Sequence, residues 1–393
     1  MFINVFIKVF NIKSFWRKTF NIASEMDQLL YQIAITKIKG IGDVSTRALI
    51  ASLGSVEPIF TEGEKVLKSV PGIDNRAIAI LDGRKKALEM AKAEVDFLAK
   101  NDMKAVFFLD KDYPLRLREC NDAPMLIYTN SSTNLNPAKA ISIVGTRRCT
   151  PYGTEMTQRI ISEIAQYYPD TLIVSGLAYG IDIVAHRNAL KNGLPTVGVL
   201  AHGLDQVYPA AHKKTAIKMQ ENGGLLTEFP QKTRPIPENF VRRNRIVAGM
   251  SDATIVVESA QRGGSLITAS IASSYNREVF AVPGYSTEPL SMGCNHLIKT
   301  NQAAMIEGLS DIEYLLGWSR DENKKRSQQT KLLIDLTEEE QMVFDFLESE
   351  GKTHINPISI VCKLPMSKLM PILINMEFNG FLNCYPGSMY QLK

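Results

Sequence analysis

The sequence predicts an α/β protein with a Rossmann-like, doubly wound parallel sheet, a helical domain before the sheet and a winged helix after it. Two patterns between residues 135 and 317 predict the sheet. Short apolar, β-branched runs recur there, and helical stretches of about 10–15 residues separate them. Strands buried on both faces form such runs, and alternation with helices is typical of parallel sheets. The predicted strands are Ala140–Val144, Leu172–Ser175, Thr196–Leu200, Leu225–Thr227, Thr254–Glu258, Val279–Val282 and Ala303–Ile306.

The region 26–130 is predicted to be a mostly helical domain of the helix-hairpin-helix or SAM-like type. It contains two glycine turns, Ile38–Gly42 and Val70–Ile73, each followed by a helix with small and apolar residues. Tight glycine turns expose backbone N–H groups that can hold a DNA phosphate. However, Asp74 replaces the final glycine of the second turn, and acidic and basic residues balance over 26–100. We therefore expect packing or protein contact here in preference to DNA binding.

A polar linker, 318–334, separates the predicted sheet domain from a third domain over 335–393. This domain has the pattern of three short helices followed by a hairpin at Pro386–Gly387, which is typical of a winged helix. Winged helices often bind duplex DNA, but this one holds eight acidic residues against four lysines. Because that charge repels phosphates, we expect a protein partner or a regulatory role.

The basic excess of the chain is confined to its first residues. The formal net charge is +4, and residues 1–24 account for it because they hold four basic residues and no acidic one. Any nucleic-acid binding by the rest must therefore come from local patches. Residues 1–25 resemble no folded element, so we expect a disordered arm or a mis-called start ahead of Met26. The four basic residues are Lys8, Lys13, Arg17 and Lys18.

Composition also limits the compartment and the cofactors. The five cysteines are scattered without a C-x-x-C pair, and the five histidines lack metal-ligand spacing. No apolar run approaches the roughly 20 residues that a membrane-spanning helix needs. These features predict a cytoplasmic protein with no metal, no cofactor and no membrane partner.

The strongest functional signal is the run Ser142–Arg148. An apolar strand passes through Gly145 into a helix that has Thr146, Arg147 and Arg148 at its start. A helix N-terminus has unpaired N–H groups and the positive end of the dipole, so it attracts anions. The hydroxyl and the two guanidinium groups add donors for phosphate oxygens. We expect phosphate binding here rather than an ordinary strand-to-helix turn.

A second glycine-rich turn follows the next predicted strand. Gly176 and Gly180 allow close backbone approach, and Ser175 could donate its hydroxyl hydrogen to a phosphate. Asp182 and His186 lie one helical turn apart, which is the spacing of an acid–base pair. An acidic residue in a first turn more commonly compensates the helix dipole, so we expect no catalysis from this pair.

A basic run before an apolar helix is the third candidate. Phe240 precedes four consecutive polar residues, and an aromatic ring in a basic stretch can stack on an unpaired base. Residues on a helix step round by 100°, so four in succession cannot all face solvent. At least one, Asn244 or Arg245, should point inward. The four polar residues are Arg242, Arg243, Asn244 and Arg245.

A fourth loop, Glu258–Thr268, again places glycines and hydroxyl groups at a helix start, with Ser265 as its candidate ligand. The sequence contains no G-x-S-x-G, no Walker P-loop, no H-E-x-x-H and no G-x-G-x-x-G. We therefore predict no catalytic residue. Several anion-binding turns without a nucleophile or a metal site suit a polynucleotide better than a mononucleotide.

These motifs together resemble the DNA-processing protein A family (DprA, also called Smf). The resemblance spans the whole α/β segment, and the helical region and winged helix match the longer architecture of the family. Only residues 1–25 fall outside it. The motifs are Ile143–Arg148, Ser175–His186, Gly203–Pro209, Asn239–Ile246, Gly264–Ala269, Phe280–Gly284 and Gly293–Ile298.

The resemblance implies a non-enzymatic protein of natural transformation, or competence, that binds and protects incoming single-stranded DNA. It also implies a homodimer formed through the α/β domain and the loading of RecA recombinase for DNA recombination. The chain departs from the family pattern at Ala201–His202, where glycine is usual, and at His212, where asparagine is common. By motif, the DNA pocket falls on Arg147, Gly176, Phe240, Arg242, Arg243, Asn244, Arg245 and Lys299.

The alternative is a nucleotide-processing enzyme of the phosphoribohydrolase type, which also has late glycine-rich turns. The signature of that family is Pro-Gly-Gly-x-Gly-Thr followed by a catalytic glutamate. Here Arg262–Ile267 lacks the third glycine, and no glutamate follows. The DNA-binding interpretation is therefore preferred.

Overall fold

The computed structural model describes residues 27–73, 77–320, 337–379, 381–385 and 388–392. The predicted extension 1–25, Asp74, the linker residues 321–334 and the Pro386–Gly387 turn lie outside the described residues. The chain divides into two compact units, Met1–Trp318 and Ser319–Lys393.

The first unit begins with helices, as the sequence predicts. Gly40 and Gly72 have φ angles of 82° and 76°, so both glycine turns use the left-handed region that other residues rarely adopt. Gly42 then caps the helix that follows the first turn. The helices are α1 (27–35), α2 (Asp43–Leu53), α3 (Glu57–Thr61), α4 (Glu64–Lys68) and α5 (Ala77–Lys100).

The sheet of the first unit has nine strands. They are β1 (Lys104–Phe107), β2 (Leu126–Thr129), β3 (Ala140–Val144), β4 (Leu172–Ser175), β5 (Thr196–Val199), β6 (Gly223–Thr227), β7 (Ala253–Val256), β8 (Glu278–Ala281) and β9 (Ala304–Met305). Their order across the sheet is β1-β2-β6-β5-β4-β3-β7-β8-β9. The seven strands from β6 to β9 pair in parallel, which confirms the predicted mixed α/β class with a large parallel sheet.

Two short strands interrupt the mostly helical region 26–130. β1 and β2 extend the sheet at one edge with antiparallel pairing. All four residues of β2 are buried between β1 and β6. β2 pairs with β6 and β1 pairs with β2, so contacts outside the strands' own sequences decide their conformation.

The helices that connect the strands cover both faces of the sheet. Successive residues of β3 point to opposite faces of the sheet. Ile141 and Ile143 pack against α7 and α8 on one face. Ala140 and Val144 join the core under α10 and α11 on the other. The helices are α6 (Leu115–Arg118), α7 (Pro151–Tyr167), α8 (Ile181–Lys191), α9 (Lys213–Met219), α10 (Pro237–Gly249), α11 (Gly264–Ser274), α12 (Met292–Lys299) and α13 (Leu309–Leu316).

The N-terminal helices pack directly on the sheet unit. Their buried residues, such as Ile33 and Leu49, form one continuous apolar core with Leu200 and Met219. A buried ion pair between Lys37 and Glu94, at 3.8 Å, lies in the same region. Glu94 also accepts a hydrogen bond from the backbone N–H of Gln231 at 3.0 Å, so α5 is fixed to the loop before α10.

The described residues of the second unit form three helices and a three-stranded antiparallel sheet of order β10-β12-β11. Leu347, Ile358, Leu369, Leu373 and Leu382 form its buried core. The elements are α14 (Glu338–Glu350), β10 (Thr353–His354), α15 (Ile355–Val361), α16 (Met366–Phe378), β11 (Leu382–Tyr385) and β12 (Met389–Leu392).

Within the described residues, no single helix is long and apolar enough to cross a membrane. Only α15 and α16 taken together, bent by 113°, reach the required length and composition.

Candidate nucleic-acid interface

A cavity of about 510 Å³ lies at the carboxyl ends of β3 and β7. From β3 the chain winds outward to β4, β5 and β6, and it then returns to β7 on the other side of β3. Such a switch point leaves a crevice where ligands bind in doubly wound sheets. The lining residues come from the loops after β3, β4, β5, β6 and β7 and from the starts of α8, α10 and α11. They include Gly145, Thr146, Arg147, Ala178, Asp182, Tyr208, Phe240, Arg243, Asn244, Gly263, Gly264, Ser265 and Thr268.

One wall of the cavity combines two aromatic rings and a cation. Phe240 is half-buried, and its ring meets Tyr208 edge-to-face with centroids 5.9 Å apart. The Arg147 guanidinium lies 5.4 Å from the centroid of the Phe240 ring. Tyr208 is 48% exposed, so this wall is accessible from solvent. Aromatic and guanidinium planes of this kind offer stacking surfaces to an unpaired base.

The basic run on α10 does not present its arginines uniformly. The sequence predicts that Asn244 or Arg245 points inward, and Arg245 does so with only 8% exposure. Arg243 is buried as well, at 4%, whereas Asn244 is only partly buried and lines the cavity. Asn244 Oδ1 accepts a hydrogen bond from Arg243 Nε at 3.2 Å.

Arg243 fixes α10 to the sheet. Its guanidinium donates to the carbonyl oxygens of Gly176, at 2.6 Å, and Val199. Burial lowers the pKa of Arg243 to about 10, and the nearby Asp182 carboxylate partly offsets that effect, so the side chain stays charged at neutral pH. Because its donors serve these contacts, most of the guanidinium is not available to a phosphate.

The position of the Arg243 side chain requires glycine at position 176. A Cβ atom at position 176 would collide with the Arg243 guanidinium. The predicted close approach to the Gly176 backbone does occur, but the approaching group is the Arg243 guanidinium and not a phosphate. Gly180 likewise has a φ of 75° and leaves no room for a Cβ beside the Thr146 carbonyl.

Arg242 and Arg245 turn away from the cavity. Both donate to Glu228 Oε2 at 2.6 Å, and the Glu228 side chain is only 2% exposed. Burial raises the pKa of Glu228, and the two arginines oppose that shift. Arg242 and Glu228 line a different cavity of about 380 Å³ beside Gly42, at the first glycine turn. The structure therefore contradicts the prediction that these two arginines belong to the same pocket as Phe240.

The start of α7 is not a free anion site, which corrects the prediction for the turn after β3. The buried Glu258 carboxylate accepts the Thr150 N–H, at 2.9 Å, and the Thr150 hydroxyl. Thr150 in turn accepts the Gly153 N–H at 3.2 Å. A carboxylate of the protein thus occupies the position predicted for a phosphate, and only Arg147 of this turn lines the cavity. Arg148 is exposed and outside the lining.

Two other predicted ligands are also placed elsewhere. The Ser175 hydroxyl is fully buried and donates to the Ile143 carbonyl at 2.6 Å, so it does not face a ligand. Lys299 is exposed at the C-terminal end of α12 and does not line the cavity. Hydroxyl groups at strand ends often pair with neighbouring backbone, which the sequence pattern does not reveal.

The start of α11 opens into the cavity. Gly263, Gly264 and Ser265 line it, and the first turn of this 11-residue helix holds no acidic residue. The positive end of the dipole is therefore uncompensated within the helix itself. The Ser265 hydroxyl donates to the Ser259 hydroxyl at 2.9 Å, which fixes its orientation.

Asp182 and His186 do not form an acid–base pair. Asp182 accepts the backbone N–H groups of Gly176 and Ala178 at 3.2 and 3.4 Å, and burial raises its pKa. His186 is fully buried, and its Nδ1 lies 2.7 Å from the Thr196 hydroxyl. That hydroxyl donates to a carbonyl, so Nδ1 is the donor in the histidine contact. Burial lowers the pKa of His186 to about 3, so the ring is neutral.

Across the described residues, no group of three or more histidine, cysteine or acidic side chains could hold a metal ion.

Comparison with known proteins assigns the family. The model of the family described as DNA recombination-mediator protein A matches residues 104–317. The chain belongs to this family. The match begins at the first residue of β1, so it includes the two strands that the sequence pattern did not reveal.

Individual relatives of the family extend over more of the chain. The putative DNA processing protein DprA of Mycobacterium tuberculosis is 30% identical over 353 residues, which cover 86% of this chain and 88% of that protein. Protein Smf of Synechocystis is 31% identical over 400 residues, covering 92% and 98%. The X-ray structure of DNA processing protein A from Streptococcus pneumoniae superposes with a TM-score of 0.60 at 30% identity, covering 72% of this chain and 96% of that one.

Proposed function

We propose that this protein binds single-stranded DNA in the cavity at the carboxyl ends of β3 and β7, and that it acts on incoming DNA during natural transformation. The observation that carries the proposal is the wall formed by Phe240, Tyr208 and Arg147 beside the uncompensated N-terminus of α11. Stacking surfaces and a phosphate-attracting helix end meet there in one concave site.

The shape of the site favours a single strand over a duplex. Bases in a duplex are stacked and paired, so their faces cannot reach a ring recessed in a cavity. An unpaired base can turn out and stack on Phe240 or on the Arg147 guanidinium, whereas its phosphate stays near the rim. Arg148 and Arg234 are exposed next to lining residues and can follow the backbone with their charges.

The proposal extends to a non-catalytic role as a homodimer in the cytoplasm, where the protein protects the strand and loads RecA recombinase. Two ionisable side chains of the cavity floor support the absence of catalysis. Asp182 and Arg243 both form hydrogen bonds with backbone groups of the protein. We also propose that the region 26–130 is a helix-hairpin-helix domain and that the region 335–393 is a winged helix. Incubation with nucleoside monophosphates should release no free base, and measurable release would favour an enzyme.

The proposal is tested by titrating the protein with a fluorescent oligothymidine and with a duplex of equal length at two salt concentrations. We expect tighter binding of the single strand and an affinity that falls with salt, because arginine contacts release counterions. Equal affinity for the duplex, or no binding of either, would contradict it.

A further inference from the structure

The lining of the cavity at the carboxyl ends of β3 and β7 changes in character from its floor to its mouth. Asp182, Arg243 and Thr268 line the cavity and are buried, with at most 7% exposure, so they form a polar floor. Val241 and Ile267 also line it but are 49% and 42% exposed, so they lie towards the opening. The cavity therefore combines a buried polar floor with a half-exposed apolar mouth.

The apolar part of the mouth comes from α10, the loop before it, and α11. Pro237, Phe240 and Val241 follow one another at helical spacing, so they lie on one side of α10. Ile267 lies on α11, directly before the buried Thr268. We call the four partly exposed branched and proline residues of the lining the apolar rim: Pro235, Pro237, Val241 and Ile267.

The apolar rim is a poor environment for a hydroxyl group. None of its four side chains has a polar atom, and its two prolines have no backbone N–H. A hydroxyl that is pressed against these side chains loses its water and gains no hydrogen bond from them. A methylene group in the same position loses nothing and buries apolar surface.

The proposed orientation of the strand brings a sugar to this rim. A base that stacks on Phe240 lies inside the cavity, and its phosphate stays outside, near the exposed Arg148 and Arg234. The sugar joins the base to the phosphate, so it must pass the mouth. Deoxyribose has a methylene group at C2′, whereas ribose has a hydroxyl, and this hydroxyl is the group by which proteins distinguish RNA from DNA.

We propose that the apolar rim makes the cavity selective for deoxyribose over ribose. Val241 and Ile267 are then specificity-determining residues, because they exclude the 2′-hydroxyl of an RNA strand with the same bases. This inference rests on the proposed binding of single-stranded DNA. It adds a claim about the sugar that can fail while the single-strand site remains.

The test titrates the full chain with three fluorescent strands of equal length that share the uracil base and differ only at C2′: oligodeoxyuridine, oligouridine and 2′-fluoro-oligouridine. We expect the deoxyribose strand to bind at least about fivefold more tightly than the ribose strand, because the 2′-hydroxyl is left without a partner. The 2′-fluoro sugar has the pucker of ribose but no hydroxyl hydrogen. It should bind nearly as tightly as the deoxyribose strand.

A paired substitution tests whether the rim is the cause. Val241→Thr combined with Ile267→Thr keeps branched side chains and adds two hydroxyl groups that can bond the ribose. The two affinities should then agree to within about twofold, chiefly because the ribose strand binds more tightly. Val44→Thr combined with Ile217→Thr changes two exposed residues outside the lining, so this matched control should keep the parental ratio. Circular dichroism checks that both paired variants are folded.

Four results would overturn the proposal. Equal affinity of the parent for the deoxyribose and ribose strands would do so and leave the single-strand site intact. No binding of any strand would overturn this proposal and the proposed function together. A preference that is unchanged in the Val241→Thr and Ile267→Thr pair would show that the rim is not the cause. A 2′-fluoro strand as weak as the ribose strand would show that sugar pucker decides, and not the hydroxyl.

Discussion

Arg147 and Phe240 are the residues on which the DNA site depends most directly. Phe240→Ala should lower the affinity for single-stranded DNA by about 1–3 kcal/mol, because one stacking surface is lost. The salt dependence should stay nearly unchanged, since no charge is removed. Fluorescence anisotropy over a salt series measures both quantities. Tyr314→Ala, which removes an exposed aromatic ring of α13 outside the cavity lining, is the control. Unchanged affinity in Phe240→Ala would remove the ring from the site.

Arg147→Ala should differ from Phe240→Ala in its salt dependence. Each lost phosphate contact should reduce the slope of log affinity against log salt by about 0.7. Because the guanidinium also lies on the Phe240 ring, part of the stacking should be lost with it. A variant that keeps the parental slope would show that Arg147 contacts no phosphate.

His186 should make stability depend on pH. Its folded-state pKa is about 3, below the ordinary value of 6.5. Between these values the unfolded chain takes up a proton that the folded chain does not, so the free energy of unfolding rises with pH by up to about 1.4 kcal/mol per unit. The raised pKa values of Asp182 and Glu228 make the free energy of unfolding fall as the pH rises. The contribution of His186 is therefore isolated by comparing variants.

The comparison is between the parent and His186→Gln, which cannot titrate. The stability advantage of the parent should shrink as the pH falls from 7 to 5, as measured by urea unfolding. His296→Gln, at an exposed position of α12, is the control and should leave the pH profile unchanged. A constant difference between parent and His186→Gln across this range would contradict the buried neutral ring.

At the scale of elements, α10 depends on its buried arginine. Arg243→Ala removes the contacts to Gly176 and Val199 and leaves the Asp182 carboxylate without its nearby positive charge. Removing one partner of a buried charge pair costs about 3–5 kcal/mol, so unfolding in urea should shift accordingly. Arg234→Ala, at an exposed position, should leave the free energy of unfolding unchanged. If Arg243→Ala keeps the parental stability but loses DNA affinity, the arginine is a phosphate ligand and this account of α10 is wrong.

The sequence predicts a strand correctly where the burial of a continuous apolar run is enough to determine its conformation. Ala140–Val144 and Leu172–Ser175 agree residue for residue with β3 and β4, because apolar runs end there at glycine turns. β1 and β2 were not predicted, since β2 depends on long-range pairing with β6 and β1 depends on pairing with β2. Glu258 was missed as the partner of the α7 N-terminus for a similar reason: that contact joins residues 108 positions apart.

Within the candidate site, the sequence predicted the loops better than the orientations of their side chains. Arg147, Phe240 and Asn244 line the cavity as expected, whereas Arg242 and Arg245 bind Glu228. A run of arginines indicates local positive charge. Which arginine faces the ligand depends on the Glu228 carboxylate, which directly follows β6.

For the whole molecule, the division into two units predicts that DNA binding belongs to the first. Deleting residues 331–393 should leave the affinity for single-stranded DNA nearly unchanged, because this region holds eight acidic residues against five lysines and repels phosphates. A chain starting at Met26 should likewise match the parent in melting temperature and affinity. Circular dichroism of each shortened chain checks folding before the titration. A collapse of affinity in a folded shortened chain would contradict the assignment.

Photocrosslinking with an oligothymidine that carries one 5-iododeoxyuridine tests most directly whether single-stranded DNA enters the cavity at the carboxyl ends of β3 and β7, because this base attaches to aromatic residues that it contacts. After digestion, mass spectrometry should find the oligonucleotide attached to Phe240 or Tyr208, with the yield lowered in Phe240→Ala. Attachment confined to the N-terminal helices α1–α5 or to the second unit would place the DNA elsewhere and contradict the account.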